Sequence, residues 1–155
     1  ENQMIYQHAY FSAKHNELTL VIGKSGSGKS TLHQIITFQD RGKCEYYYND
    51  KNMTILSDCQ QKDFIRDKMG IVNQIPTFID DLRIEDHIAL CQSMFNGYNI
   101  DKYIDRLGIR EVMNEYPQQL SGGEKIRVSI LLAMLHQPEI LVFDEPTILK
   151  LLLNY

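Results

Sequence analysis

The sequence has few cysteines and no long apolar segment. Its 155 residues include three cysteines, Cys44, Cys59 and Cys91. The number is odd and no CxxC pair occurs, which argues against a disulfide framework or a zinc site and favours a reducing compartment. The longest apolar stretch, at residues 130–135, is far shorter than the roughly 20 residues that cross a bilayer. No basic segment followed by an apolar one opens the chain, so we expect no signal peptide.

An excess of positive charge is also missing. Sixteen Lys and Arg residues face twenty Asp and Glu residues, for a net charge of −4. We therefore expect no nucleic-acid partner, unless a local basic patch provides the contact. Internal repeats and low-complexity segments are missing as well. What remains is an ordinary globular balance, 43% hydrophobic and 23% charged residues, in a length that suits one domain with a sizeable core.

Apolar segments of strand and helix type alternate along the chain. Residues 17–23, ELTLVIG, are apolar and partly β-branched and end in glycine, which predicts a buried strand. Residues 29–38 have the apolar spacing of a helix, and a short strand is predicted within residues 68–74. A glycine-opened helix runs from residue 122 until Pro138 stops it, and the apolar residues 140–144 predict another strand. Strands separated by helices predict an α/β fold with a parallel sheet.

Two further segments have their own patterns. Residues 42–53, GKCEYYYNDKNM, predict a strand and a turn. Residues 74–120 are mostly helical and charged, and we predict that they form a helical insert. Four apolar residues of this insert fall on one helical face: Ile84, Ile88, Cys91 and Phe95. Such a face more often packs into a core than against a partner, so exposed residues near 76–81 are better candidates for a partner surface.

A glycine-rich loop carries the most specific motif. Residues 23–30, GKSGSGKS, match G-x-x-x-x-G-K-[ST] between a predicted strand and a predicted helix. Glycines let successive N–H groups turn toward an anion, Lys29 adds a positive charge, and Ser30 offers a hydroxyl to Mg²⁺. The alternative is a flexible Gly/Ser loop, but chance gives this motif in roughly one in two hundred chains of this length. The predicted nucleotide contacts are Gly23, Lys24, Ser25, Gly26, Ser27, Gly28, Lys29, Ser30 and Thr31.

The loop alone leaves the nucleotide open, although the guanine-reading pattern NKxD is absent. A second candidate anion site follows at LSGGE, residues 120–124. Ser121 can cap a helix, while Gly122 and Gly123 leave the first N–H groups of that helix open. The alternative is an ordinary capped helix with a glycine pair. Two phosphate sites on separate segments could hold one nucleotide between two copies of the chain.

These motifs together resemble the nucleotide-binding domain of ATP-binding-cassette (ABC) proteins. LSGGEKIRVSILLAML, residues 120–135, is similar to the family signature, with Glu124 in place of the usual glutamine and Arg127 at a usually basic position. The resemblance implies an α/β P-loop NTPase core made of residues 1–73 and 121–155, a helical subdomain at 74–120, and ATP and Mg²⁺ as cofactors. It implies an ATPase in which Ser121, Gly122, Gly123 and Glu124 close over the γ-phosphate held by a second nucleotide-binding domain, in a head-to-tail dimer. It also implies a separate transmembrane permease subunit, with the chain cytoplasmic and peripheral at the inner face of the membrane.

Two further segments resemble family motifs. ILVFDEP resembles the Walker B strand, in which Asp144 would hold Mg²⁺ and Glu145 would be the general base or polarise the attacking water. An acidic cap on a strand is the alternative. Gln74 resembles the Q-loop glutamine, which would contact Mg²⁺ and the attacking water, although alone it is only a polar strand end. The predicted catalytic set is Glu145, Gln74 and Lys29; the predicted metal set is Ser30, Gln74 and Asp144.

The family pattern is incomplete at both ends of the sequence, so we expect an incomplete domain. Tyr6 is a weak candidate for the adenine-stacking aromatic residue, and the sequence after Thr147 lacks the Leu-Asp pair of the D-loop. No histidine occupies the place of the γ-phosphate sensor. The signature is loosely similar to that of bacterial exporters of peptides or lipoproteins. Two alternatives to a transporter subunit remain at this point, a soluble ABC ATPase acting on ribosomes or DNA and a non-catalytic remnant.

Overall fold

A computed structural model of the protein describes residues 9–40, 44–95 and 99–144. These residues form two compact units, which divide between Ile55 and Leu56. The elements of the first unit are helix α1 (Lys29–Ile36) and the short strands β1 (Tyr47–Tyr48) and β2 (Lys51–Asn52). The predicted helix after the glycine-rich loop is therefore confirmed, and it begins one residue after Gly28.

The two strands of the first unit form a tight hairpin. Tyr47 pairs with Asn52 and Tyr48 with Lys51 in antiparallel register. The two turn residues, Asn49 and Asp50, have φ angles of 47° and 62°. Positive φ at both central residues is the geometry of a type I′ turn, which Asn and Asp tolerate better than other residues with a side chain. The predicted strand and turn is thus confirmed.

The predicted buried strand at residues 17–23 is wrong. No strand is assigned there, and the apolar side chains are largely exposed, with Leu18 at 61% and Ile22 at 82%. A β-strand depends on hydrogen bonds to a neighbouring strand, and among the described residues none pairs with this segment. The apolar, β-branched composition of the segment suits the interior of a sheet, but composition does not determine whether a second strand lies beside it.

The second unit combines a parallel strand pair with helices. Its elements are α2 (Asp58–Lys68), β3 (Met69–Val72), α3 (Ile84–Met94), α4 (Asp101–Leu107), 3-10 turns at Arg110–Val112 and Pro117–Gln119, α5 (Gly122–Met134) and β4 (Ile140–Phe143). Strands β3 and β4 are parallel, with register from Met69–Ile140 to Val72–Phe143. Helices packed with parallel strands confirm the α/β class and both predicted strands.

Helix α5 packs against apolar partners on two sides. Val128, Leu131 and Leu135 belong to a cluster with the buried isoleucines of α3 and α4. Ile130 and Ala133 instead pack with Val72 of β3 and with Phe143 of β4. A helix that is apolar on most of its circumference is a buried helix. This packing fixes α5 between the strands and the helical segment, and so fixes the start of the helix, where the signature lies.

The approach of β3 to α5 depends on a glycine. A Cβ added to Gly70 would lie 2.3 Å from the carbonyl oxygen of Ala133 and 2.6 Å from a methyl carbon of Leu141. Backbone cannot move aside as a flexible side chain can, so any larger residue here would push the helix away from the strand. Gly70 therefore sets how closely the signature helix lies against the sheet.

In its described part, the predicted helical insert has helices and 3-10 turns as its regular elements and no strand, although its proposed limits stay a prediction. Ile84 and Ile88 are buried in the helical cluster, at 0% and 3% exposure, which confirms that this face is core. Helix α2 was not predicted. Its start has the S-x-x-Q pattern of a capping box, at Ser57 and Gln60, and that pattern could have revealed it. Within the described ranges, no helix is both long and apolar enough to cross a membrane.

Candidate functional site

The glycine-rich loop has the backbone shape of an anion site. Gly26 and Gly28 have φ angles of 78° and 93°, in the left-handed region that glycine adopts without strain. The Ser27 N–H donates to the Lys24 carbonyl at 3.2 Å and so closes a turn inside the loop. A Cβ added to Gly23 would lie 2.5 Å from the Ser27 hydroxyl oxygen, so a larger residue at position 23 would require the Ser27 side chain to turn away. Such alternation of left- and right-handed residues turns N–H groups to one side.

Lys29 is held against the loop backbone. Its ammonium group donates to the carbonyl oxygens of Gly23 and Lys24, both at 2.8 Å. An ammonium group has three N–H donors, and the third has no partner among the described residues. The charge is thereby positioned at the open side of the loop before any ligand binds, with one donor left for a phosphate oxygen.

The first turn of α1 is open to a ligand. Gly28 at its N-cap has no side chain, and no side-chain hydrogen bond caps this helix. The N–H groups of Lys29, Ser30 and Thr31 lie in the first turn, where a helix offers them no carbonyl partner. Ser30 is exposed beside them. Uncapped N–H groups, the helix dipole and a fixed lysine together fit the phosphates of a nucleotide.

Asp144 and Gln74 lie at one edge of the parallel strands. The N–H of Asp144 donates to the carbonyl of Val72 at 3.1 Å, which continues the pairing by one residue beyond the strand ends. Gln74 follows Val72 by two residues, and both Gln74 and Asp144 are exposed. The carboxyl ends of parallel strands are where α/β proteins bind their ligands. The structure thus brings two of the three predicted metal contacts to one edge, where a carboxylate and an amide oxygen suit Mg²⁺.

Three predictions concern residues outside the described part of the chain. Glu145, the predicted general base, follows Asp144 directly but is not among the described residues, and neither are Tyr6 and the segment after Thr147. Within the ranges that are described, no three His, Cys, Asp or Glu residues cluster as a metal site. A magnesium site of the predicted kind would not produce such a cluster, because it uses one carboxylate, a hydroxyl, an amide and the phosphates themselves.

The signature begins at a well-anchored helix start. Leu120 is buried, and Ser121 after it is the N-cap of α5. The Glu124 carboxylate accepts from the Ser121 N–H at 2.7 Å and from the Ser121 hydroxyl at 2.6 Å. These hydrogen bonds, helped by the charge of Arg127, lower the pKa of Glu124 below its usual value. The prediction that Ser121 caps the helix is confirmed. That Glu124 completes a capping box was not predicted from the sequence, although S-x-x-E is the usual pattern of one.

The segment that follows Gln74 is tied to two other elements. The Ile79 N–H donates to Nε2 of His87 at 2.9 Å, so Nδ1 carries the ring proton and donates to the Arg83 carbonyl at 2.8 Å. The side-chain amide of Gln118 donates to the Asp80 carbonyl at 3.1 Å. Residues 79–80 are thereby joined to α3 and to the 3-10 turn that precedes the signature. The sequence contains no pattern that reveals the role of His87, which is 6% exposed.

A loop of this shape at the start of a helix defines a nucleotide-binding protein of the P-loop class. Comparison with known proteins identifies the family: residues 6–148 match the family described as ABC transporter, and the chain belongs to it. This confirms the resemblance seen in the sequence. Members of this family generally hydrolyse ATP, and the P-loop NTPase fold is shared with solved ABC cassettes.

Individual relatives are moderately similar. The chain is 32% identical over 137 residues to the cell division ATP-binding protein FtsE of Haemophilus influenzae, covering 84% of this chain and 62% of FtsE. It is 34% identical over 138 residues to the methionine import ATP-binding protein MetN 1 of Listeria innocua, covering 84% of this chain and 40% of MetN 1. The chain therefore spans about half the length of these relatives.

A solved structure gives the same result for the fold. The ATP-binding cassette MJ0796, in a dimeric post-hydrolysis state bound to ADP and Pi, is 30% identical to the chain, with a TM-score of 0.67. The similarity covers 83% of this chain and 65% of that one. A TM-score of this size at this coverage shows a common fold, and the bound ADP and Pi belong to that cassette.

Proposed function

We propose that this chain is the ATP-binding subunit of an ABC transporter, which binds and hydrolyses ATP to drive transport through a separate membrane subunit. The observation that carries the proposal is the glycine-rich loop. Its two left-handed glycines, the uncapped first turn of α1 and the lysine held by two carbonyl groups form a preorganised phosphate site. Membership of the ABC transporter family supports ATP as the nucleotide.

Each site residue has a proposed role. The loop residues 23–31 bind the phosphates, and Lys29 contributes its charge to them. Ser30, Gln74 and Asp144 would hold Mg²⁺, which when bound neutralises charge that develops on the phosphates. Gln74 also orients the attacking water, and Glu145 accepts its proton.

The proposed working unit is a head-to-tail pair. Ser121, Gly122, Gly123 and Glu124 of one copy would close over the γ-phosphate bound by the loop of the other. The dimeric state of the cassette MJ0796 supports pairing. Within each copy we propose that residues 1–73 and 121–155 form the core, and residues 74–120 the helical subdomain. ATP closes the pair and hydrolysis reopens it, and this motion drives the membrane subunit.

The surface for the membrane subunit is proposed at residues 76–81. Ile79, Asp80 and Asp81 are exposed there, and the backbone of this segment is joined to the signature side through His87 and Gln118. Because residues 79–80 are hydrogen-bonded to His87 and Gln118, a movement of a partner bound at this segment could be transmitted to the signature. The transport roles in the names of relatives such as MetN 1 support a membrane partner. The proposed location of the chain is the inner face of the membrane, where it would be bound through that partner.

Membrane association tests the transporter part of the proposal. We expect the chain to sediment with membranes when it is co-expressed with a multi-span membrane protein encoded by a neighbouring gene, and to stay in the supernatant when expressed alone. Asp81→Arg with Ile79→Asp should abolish the association, because it reverses the charge and polarity of the proposed surface. Leu90→Asp, on an exposed position of α3, is the matched control. Association that survives the double substitution would contradict the proposed surface, and its absence with every such partner would contradict a transporter role.

A further inference from the structure

The start of α5 is already occupied by a negative charge of the chain itself. The Glu124 carboxylate accepts both donors of Ser121, the N–H and the hydroxyl, and the Glu124 N–H donates back to the Ser121 hydroxyl at 3.4 Å. The pKa of Glu124 is lowered by these contacts, so the carboxylate stays ionised throughout the neutral pH range. In contrast, α1 starts without any side-chain cap.

The chain contains the same arrangement without charge. At the start of α2, the Gln60 amide oxygen accepts from the Ser57 N–H at 2.9 Å and from the Ser57 hydroxyl at 3.1 Å. The Gln60 N–H donates to the Ser57 hydroxyl at 3.4 Å, the same distance as in α5. A glutamine therefore builds the same capping box as a glutamate. The negative charge at Glu124 is not needed to start the helix.

The charge has a consequence for a phosphate that approaches α5. In the proposed pairing Ser121 itself contacts the γ-phosphate, so a phosphate oxygen would need a donor that Ser121 now gives to Glu124, and the carboxylate would have to leave. The phosphate would also be repelled by that carboxylate, because both groups are negative and both are drawn to the same helix start. A glutamine at position 124 would also have to leave Ser121, but it would not repel the phosphate.

We propose that the Glu124 carboxylate is a built-in competitor of the incoming phosphate, which raises the threshold for nucleotide-driven pairing of two copies. The proposal rests on the proposed function, in which the signature of one copy receives the γ-phosphate bound by the other. Pairing then requires that the Glu124 carboxylate release Ser121. The charge of Glu124 raises the nucleotide concentration at which two copies pair.

Arg127 provides a place for the released carboxylate. It lies one turn after Glu124 on the same helix, at the i+3 spacing that lets side chains meet. One of its terminal nitrogens lies 3.5 Å from the position of a Cβ on Gly123, so the guanidinium group is beside the helix start. Its Nε is buried and has no hydrogen-bond partner within the described part of the chain. A carboxylate that turned from Ser121 to Arg127 would satisfy this donor, and the switch would exchange one partner of Glu124 for another.

The test is self-association of the full chain with Mg²⁺ and a non-hydrolysable ATP analogue, measured by sedimentation velocity over a range of protein concentrations. We expect Glu124→Gln to strengthen the association about fivefold, the factor that one unit charge at contact distance in water is worth. Gln60→Glu places the same charge in the other capping box and should leave the association unchanged. Circular dichroism should show equal helix content in all three proteins.

The outcomes separate this inference from the function on which it rests. If the parent chain associates and Glu124→Gln associates equally or more weakly, the competitor role is overturned and the proposed pairing stands. Glu111→Gln removes an acidic charge elsewhere on the chain. If it strengthened the association as much as Glu124→Gln does, the competitor role would also be overturned, because the effect would then come from net charge and not from the position of Glu124. If no variant associates although the analogue binds the loop, the proposed pairing fails and the inference fails with it.

Discussion

Lys29→Ala is expected to lower the affinity of the chain for ATP by about 100-fold, with little change in folding. The ammonium group of Lys29 is fixed by the carbonyl oxygens of Gly23 and Lys24, and its third donor, which no described residue accepts, can bind a phosphate oxygen. A hydrogen bond between charged groups contributes roughly 1.5–3 kcal/mol, which corresponds to a factor of about 10 to 150 in affinity. The loss of the two bonds to the loop backbone adds to this effect, because the loop would no longer be held in its binding shape.

Titration calorimetry with Mg²⁺ and ATP measures this change directly. Lys51→Ala is the matched control, since Lys51 is an exposed lysine of the same unit, placed on the β-hairpin. The control should bind ATP as the parent chain does. Equal affinity of Lys29→Ala and Lys51→Ala would contradict the assignment of the phosphate site to residues 23–31.

Asp144→Asn is expected to lower the rate of Mg²⁺-dependent ATP hydrolysis at least about 100-fold while the fold is kept. Asp144 is exposed at the carboxyl edge of β3 and β4, and only its backbone N–H takes part in the strand pairing. Asparagine keeps the shape of the side chain but removes the charge that would hold Mg²⁺. A bound metal ion contributes several kcal/mol to charge stabilisation in phosphoryl transfer, so its loss affects turnover strongly.

The measurement is phosphate release at saturating ATP, with Mg²⁺ titrated from zero. Glu111→Gln removes an exposed carboxylate of the same unit, remote in sequence from the strand ends, and should leave the rate unchanged. A normal rate and a normal Mg²⁺ dependence in Asp144→Asn would show that the metal is held elsewhere. If Glu111→Gln lowered the rate as much, the effect would reflect net charge rather than a metal site.

Local patterns predicted those elements whose partners lie close in the chain or whose burial is nearly complete. The spacing of Ile84 and Ile88 identified α3 and its core face, since a helix satisfies its own backbone and needs only one apolar side. The apolar run at residues 140–143 identified β4, and the helices between the strands predicted a parallel sheet. Which strand lies beside β4 was not predicted; the structure pairs it with β3. The glycine-rich loop was found because its shape depends on a few residues in fixed order.

Contacts between distant parts of the sequence were not predictable in this way. Residues 17–23 look like a buried strand, yet whether they form one depends on a neighbouring strand that their own sequence does not specify. His87 illustrates the same limit for a side chain. Its role comes from the N–H of Ile79 eight residues away and from burial beside Phe78, and a single histidine in a helix gives no indication of either.

The signature shows a different kind of gap. The sequence predicts Ser121 as a helix cap and shows Glu124 in place of the usual glutamine, and neither prediction alone reveals the contact between them. Together they form a capping box, whose pattern is plain in the sequence. The box changes the expected chemistry, because it puts a carboxylate where a phosphate is proposed to bind. A substitution that looks mild as a change of residue type can therefore alter the charge at a site.

The most direct test of the account is the amide spectrum of the ¹⁵N-labelled chain during titration with ATP and Mg²⁺. The central claim is that the loop and the first turn of α1 bind the phosphates. We therefore predict saturable shifts concentrated at Gly26, Gly28 and Ser30, while the N–H groups of Ser57 and Gln60 at the start of α2 stay unchanged. Saturable shifts elsewhere with none at residues 23–31, or no shifts at all, would contradict the claim.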